Sequence, residues 1–218
     1  SSSVAEHTIS LAFALLRRIV ESDQYTRKGK YKGWAPMNFI GDDIHGKIIG
    51  LIGAGQIGVR VASYAKALGL NVIYYDIVRN SKLDNEHSAE YFNSIEEVLK
   101  NSDIVSLHVP LLDSTHHLIN EQRLRLMKKT AYLINTSRGP IIDEKALVKA
   151  LKDKVIAGAG LDVFEFEPKL SSGLAKLPNV ILTPHIASAS VQARNQMAIT
   201  AVSNIISYFE NGSLKNPV

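Results

Sequence analysis

The sequence predicts a doubly wound parallel α/β fold, and three observations carry that expectation. Short apolar runs alternate with helical stretches along most of the chain. The runs are continuously apolar, as strands covered on both faces read, where a half-exposed strand would alternate. A glycine-rich turn sits at the first strand-to-helix junction. With 218 residues, 45% of them hydrophobic, the chain can fill one sizeable core.

The elements follow in order. Residues 6–20 are apolar on nearly every side and predict a buried helix, covered by its own domain and by a further surface. Residues 22–46 are polar and carry Gly29, Gly33, Pro36 and Gly41, so they read as a long surface connection. Strand 48–52, helix 56–68 and strand 71–75 then form a βαβ unit. The pattern continues with helix 94–100, strand 103–107, helix 121–127, strand 131–134, helix 143–151, strand 155–161 and strand 180–182, and a long final helix spans 189–209. No repeat or low-complexity tract interrupts it. The whole of 1–218 therefore reads as a single cofactor-binding domain: 1–46 a linking helix and surface connection, 47–190 the core, 191–218 the C-terminal helix and tail.

Composition narrows the partners. The 25 Lys and Arg against 21 Asp and Glu leave a charge of +4, scattered apart from a cluster at Arg27, Lys28, Lys30 and Lys32, so no nucleic-acid partner is expected. The apolar run 9–16 is far shorter than the roughly 20 residues of a membrane span, and no basic segment precedes it. The absence of cysteine removes thiolate ligands and nucleophiles and is compatible with a cytoplasmic setting.

The glycine turn Gly53-Ala54-Gly55-Gln56-Ile57-Gly58 proves little by itself, because glycine also punctuates ordinary turns. Its context is more telling: strand 48–52 runs into it, a helix leaves it, and Asp76 closes the second strand 18 positions after Gly58. This is the arrangement of a Rossmann-type dinucleotide site. Gly53 allows the tight turn, Gly55 lets backbone N–H groups reach a pyrophosphate, and Gly58 lets helix pack against strand. Asp76 suits ribose hydroxyls and repels a 2′-phosphate, which favours NAD over NADP, with Arg79 pulling the other way. A P-loop is excluded, since no Gly-Lys-Ser/Thr follows. The first strand alone would also suit a methyltransferase.

Three further segments lie where strands end, the edge at which open α/β sheets bind ligands. They are Asn135-Thr136-Ser137-Arg138-Gly139, Leu161-Asp162-Val163-Phe164-Glu165-Phe166-Glu167-Pro168 and Thr183-Pro184-His185-Ile186-Ala187. With the glycine turn they resemble, in order, the signatures of the D-isomer-specific 2-hydroxyacid dehydrogenases, and the similarity covers nearly the whole chain. The resemblance implies interconversion of 2-keto and D-2-hydroxy acids with NAD, the protein acting as a homodimer. It assigns the acid–base role to His185, its carboxylate partner to Glu167 and the substrate cation to Arg138. It places Asp162 near the nicotinamide carboxamide, with Val109, Pro110 and Thr136 bordering the cofactor.

The chemistry agrees with those residue types. Histidine suits exchange of a hydroxyl proton near neutral pH, a carboxylate beside it fixes the tautomer, and a guanidinium binds a carboxylate while steadying charge on a carbonyl. Each residue taken singly has a plainer reading as a structural histidine, a loop cation or a solvated carboxylate. His7, His45, His87, His108, His116 and His117 show no comparable context. His116-His117 has the look of a metal pair, but adjacent residues point apart on a regular element and no third ligand is evident, so no metal is expected.

Family members carry a substrate domain, built mainly from residues N-terminal to such a segment. Here the chain starts at Ser1 beside the linking helix, so the substrate domain is expected to be absent and the chain by itself inactive. Trp34-Ala35-Pro36 and Gly139-Pro140 lean toward glyoxylate or hydroxypyruvate reductases; D-lactate and phosphoglycerate dehydrogenases stay open, and Glu167 disfavours a formate dehydrogenase. The other class that shares these features is the NAD-sensing interaction module of the related transcriptional corepressors.

Overall fold

The computed structural model describes residues 1–216. Pro217 and Val218, the end of the expected tail, lie outside the described residues. Among the described residues, strands β1 (Ile48–Ile52), β2 (Asn71–Tyr75), β3 (Glu90–Tyr91), β4 (Ile104–Leu107), β5 (Tyr132–Asn135), β6 (Gly158–Leu161) and β7 (Val180–Leu182) form one sheet in the order β3-β2-β1-β4-β5-β6-β7. Every neighbouring pair is parallel. Parallel neighbours need crossovers, and the helices that supply them cover both faces. Because all strands run one way, their C-terminal ends open at one edge, and the order reverses beside β1, where β2 lies on one side and β4 on the other.

The core divides accordingly. On one face the sheet packs with α5 (Ile95–Asn101), α6 (Glu121–Leu124) and α7 (Glu144–Lys152), burying Val98, Leu99, Leu124 and Leu147. On the other it packs with α1 (Ser2–Leu16), α3 (Gln56–Ala67) and α4 (Ser81–His87), burying Leu11, Leu16, Val61, Ala65 and Leu83. Side-chain oxygens cap several helices: Ser94 accepts from Glu97 N–H, Asp143 from Ala146 N–H and Ser190 from Ala193 N–H at the start of α8 (Val191–Asn211).

The expected helix 6–20 is two helices. Arg18 adopts φ 51°, ending α1 and starting α2 (Ile19–Arg27), which takes in the first residues expected to be surface connection. The cause is a contact distant in sequence: the chain returns at Gly41-Asp42, and Asp42 N–H donates to the Leu16 carbonyl at 2.9 Å. That carbonyl approaches Gly41 so closely that a Cβ there would lie 2.2 Å from it. The apolar residues of α1 serve their own domain, lying over α3 and across β5, β6 and β7. Gly160 of β6 makes room, since a Cβ there would already sit 3.2 Å from Leu11 Cβ. Open apolar surface includes Ile19, Val20, Tyr31, Trp34, Met37 and Ile40 beyond α1, the loop residues Ile77 and Val78, and residues along α8.

Elsewhere the ends shift by one to three residues, as helix and strand ends do. The expected strand 155–161 begins only at Gly158, because Val155 N–H closes back on Ala150 O of α7 at 2.8 Å. Among the described residues, and besides short 3₁₀ turns, α4 and β3 are additional, both between residues 76 and 94.

The seating of α1 has a measurable consequence. Leu11 is 3% exposed, so Leu11→Ala is expected to cost about 2–5 kcal/mol in urea unfolding. A cost below about 1 kcal/mol would mean that the domain closes without α1.

Candidate functional site

The glycine turn stands at the reversal point between β1 and β4. Gly53 adopts φ 105°, and a Cβ there would lie 2.7 Å from the backbone of His108, so only glycine fits the passage of the turn beside the end of β4. A Cβ on Gly58 would lie 2.4 Å from the Gly53 carbonyl, which locks turn and helix together. Gly55 differs: nothing lies within 4 Å of where its Cβ would be. It opens α3 without a side-chain cap, unlike the starts of α5, α7 and α8. Free N–H groups at Gln56 and Ile57 and the positive end of α3 thus face open space, which fits a pyrophosphate.

Asp76 lies at the end of β2, and its Oδ2 accepts Ala54 N–H at 2.6 Å. The bond ties the carboxylate to the turn and leaves Oδ1 without a partner among the described residues, so that it could accept from a ribose hydroxyl. A hollow of about 530 Å³ adjoins it, lined among others by Gly55, Gln56, Arg60, Asn80 and Lys82.

Farther along the same edge, a cavity of about 650 Å³ is bordered by Arg138, Gly139, Pro140, Phe164, Glu167 and His185. Arg138 is exposed, and its guanidinium donates only to the Ser137 carbonyl, at 2.7 Å. The loop is shaped from beneath by fully buried Asn135, which donates to the Arg138 carbonyl at 2.9 Å and accepts from Ser137 N–H and Oγ. A Cβ on Gly139 would lie 1.9 Å from the Phe164 backbone, so the arginine loop and the loop after β6 meet at a glycine.

Glu167 Oε1 accepts Phe164 N–H at 2.9 Å, and its Oε2 lies 3.0 Å from His185 Nδ1. Nδ1 therefore carries the proton when the imidazole is neutral, and Nε2 is the nitrogen left for chemistry. His185 adopts φ 55°, held by its own N–H on the Asp162 carbonyl at 2.9 Å.

Asp162 is fully buried with its carboxylate turned toward the segment of His185, accepting from Thr183 Oγ1 at 2.6 Å, Ile186 N–H at 2.9 Å and Ala187 N–H at 2.7 Å. Burial pushes its carboxyl up, but donors led by His7 and Thr183 outweigh that and hold it below the usual carboxylate range. Thr136, at the end of β5, shares a 2.8 Å bond with Thr8 of α1. Val109 and Pro110 follow β4 beside the glycine turn.

Three histidines set aside on sequence grounds gather at this edge. His7 of α1 reaches Thr183 Oγ1 at 3.0 Å and Asp162 Oδ1 at 3.5 Å. His108 passes beneath the glycine turn and meets Ser106 Oγ at 2.9 Å. His117 places Nε2 2.7 Å from Glu165 Oε1. The His116 and His117 rings stack with centroids 4.0 Å apart. They do not point apart as on a regular element, because His116 ends a 3₁₀ turn and His117 adopts φ 49°. Among the described residues no three metal-ligating side chains cluster, and no helix is long and apolar enough to cross a membrane.

The NAD binding domain of the D-isomer specific 2-hydroxyacid dehydrogenases matches residues 9–187. The glyoxylate reductase of Korarchaeum cryptofilum is 49% identical over 211 residues, covering 94% of this chain and 63% of that protein. The chain thus spans somewhat under two thirds of that curated relative. Among solved structures, the NADPH-dependent glyoxylate/hydroxypyruvate reductase of Sinorhizobium meliloti superposes with a TM-score of 0.90 at 34% identity, over 100% of this chain and 68% of that one. The D-lactate dehydrogenase of Lactobacillus jensenii, solved with NAD+, gives 0.86 at 35% identity, again over 100% and 68%.

The seat of His108 also sets a response to acid. Burial pushes its imidazole down to about 4, while in an unfolded chain it titrates near 6.5. Between those values only the unfolded state binds the proton, so the contribution is complete above about pH 6.5 and is lost as the pH falls toward 4. Unfolding series at several pH values are expected to show a loss on the order of 3 kcal/mol across that window. His108→Gln should flatten it; an unchanged profile would assign the acid response to other groups.

Proposed function

The chain belongs to the D-isomer specific 2-hydroxyacid dehydrogenase family, and from that membership we propose that it is the NAD-binding domain, over 1–218, of an enzyme interconverting a 2-keto acid and a D-2-hydroxy acid. One observation carries the reading: a histidine and a carboxylate paired at 3.0 Å border the same cavity as an exposed arginine. The glyoxylate reductase relatives favour this reading over a domain that only senses NAD(H).

NAD(H) is held by the free amides of Gln56 and Ile57, by the glycines Gly53, Gly55 and Gly58 that clear its path, and by Asp76 at the ribose, with Val109, Pro110 and Thr136 alongside. When bound, it supplies or accepts the hydride at the substrate's second carbon. The chain's own residues do the rest. Arg138 pairs with the substrate carboxylate and stabilises negative charge on the carbonyl oxygen. His185 gives a proton to that oxygen from Nε2 in reduction and takes it back in oxidation. Glu167 keeps the Nδ1 proton in place and stabilises the imidazolium. Asp162 holds the His185 turn through Thr183, Ile186 and Ala187 and borders the nicotinamide carboxamide, with His7 beside it.

The glyoxylate reductase relatives support a small 2-keto acid such as glyoxylate as substrate. The exposed Ile19, Val20, Trp34, Met37 and Ile40 after α1 support a homodimer. The reaction belongs in the cytoplasm, a setting the cysteine-free sequence suits.

Titration of NADH, followed by its fluorescence, is expected to show binding to the folded chain, weakened about tenfold in Asp76→Ala. No binding to the wild type would remove the cofactor from the proposal. In the full-length protein, His185→Ala should lower turnover of 2-keto acids by about 10²–10⁴ with little change in NADH affinity. A matching loss of NADH affinity would make His185 a structural residue.

A further inference from the structure

The loop between β2 and α4 carries an arginine that the ribose chemistry does not use. Arg79 lies three residues after Asp76, in a stretch whose Ile77 and Val78 are 87% and 72% exposed. The loop is fastened to the glycine turn, because Asn80 Nδ2 donates to the Ala54 carbonyl at 2.7 Å. A guanidinium so placed would be the natural partner of a 2′-phosphate, the group that separates NADP from NAD.

Arg79 is nevertheless engaged elsewhere. Its Nε donates to Asp84 Oδ2 at 2.7 Å, and its guanidinium lies 5.5 Å from the centre of the Tyr91 ring. Asp84 is itself anchored: the hydroxyl of fully buried Tyr74 donates to its Oδ1 at 2.7 Å. Tyr74 is fixed in turn, since Asn80 N–H donates to its oxygen at 3.1 Å. One carboxylate oxygen therefore faces a rigid phenol in the core and the other holds the arginine. The Tyr74 hydroxyl first, and Arg79 next, keep the Asp84 carboxyl below the usual carboxylate range, so the latch is charged at neutral pH.

Given NAD(H) binding as argued above, we propose that Asp84 is a specificity residue that acts through Arg79, withholding its guanidinium from the adenosine ribose and so discriminating against NADPH. Discrimination then has two parts. Asp76 repels a 2′-phosphate directly, and Asp84 removes the cation that would attract it. The two parts act on one phosphate, so their removal is expected to couple.

The test is fluorescence titration of NADH and NADPH with the chain and its variants. Wild type should bind NADH and discriminate against NADPH. Asp84→Asn keeps an acceptor for Tyr74 and drops the ion pair; it should improve NADPH affinity about three- to tenfold, a gain of the size of one charge-assisted contact, and narrow the ratio between the cofactors. Asp76→Ala with Asp84→Asn should gain more than the product of the single effects. Adding Arg79→Ala to Asp84→Asn should abolish the gain; a gain that survives would mean that lost negative charge alone is responsible and would overturn the proposal. So would an unchanged NADPH affinity in Asp84→Asn. If that variant does not fold, Arg79→Ala in the wild type decides: an unchanged NADPH affinity supports the latch, and a loss shows the arginine already serving the phosphate. Failure of NADH itself to bind wild type would instead overturn the cofactor reading, and is told apart by that control.

Discussion

The buried carboxylate of Asp162 is the interaction on which the rest of the site depends. It ends β6, and from there it receives the Thr183 hydroxyl after β7, two backbone amides of the turn beyond, and the approach of His7 from α1. An unpaired charge in that position would cost several kcal/mol. The turn that carries His185 is therefore confined to shapes that point its amides inward, and the left-handed conformation of His185 belongs to such a shape. Chain ends far apart in sequence are brought together in this way: α1 covers the sheet edge, and its Thr8 and His7 reach the ends of β5 and β7.

The same logic joins the two loops bordering the larger cavity. Glu165 lies inside the loop after β6, where its Oε1 meets His117 and its Oε2 accepts Glu144 N–H at the start of α7. His117 N–H also donates to the Pro140 carbonyl at 2.8 Å, next to Gly139 and Arg138. Glutamates two positions apart thus have opposite tasks. Glu165 braces the loop against its own domain, while Glu167 turns outward to His185.

Most of the sheet was legible because fully buried parallel strands leave an unbroken apolar run, as in β1 and β4, and because side-chain caps mark the starts of α5, α7 and α8. The stretch between residues 76 and 94 was not. In α4 the sequence Ser-Lys-Leu-Asp-Asn-Glu-His buries only Leu83, so no apolar stripe announces it, and β3 is a two-residue strand at the sheet edge. The division of α1 from α2 had no local signal either, since it depends on Asp42 returning to Leu16 across 26 positions. At the site, the pairing of His185 with Glu167 was implied by the family resemblance, and the two side chains meet at 3.0 Å. The parts played by His7, His117 and Asn135 are set by side chains meeting across the fold, and an isolated histidine in a sequence carries no trace of such a partner. Asp162 shows the converse, since its motif marked the place while its partners Thr183, Ile186, Ala187 and His7 are supplied by the fold.

The two ends of the candidate cofactor trench differ in what secures them, and burial explains the difference. At the reaction end the positioning groups, Asp162 and Asn135, are fully buried with their oxygens engaged, so a change there would leave buried polar groups unpaired and disturb several loops at once. At the proposed adenosine end one oxygen of Asp84 is held from beneath by Tyr74, and the Arg79 side chain that meets the other is 64% exposed. Exposed ion pairs contribute little to stability, so this contact can be remade without disturbing the sheet beneath it. On the proposed reading, the fold is rigid where proton and hydride would be aligned and adjustable where one phosphate would be accepted or refused. Relatives of this chain include both an NADPH-dependent reductase and a dehydrogenase solved with NAD+, as expected when cofactor choice is decided at a surface loop and the reaction is decided in the core.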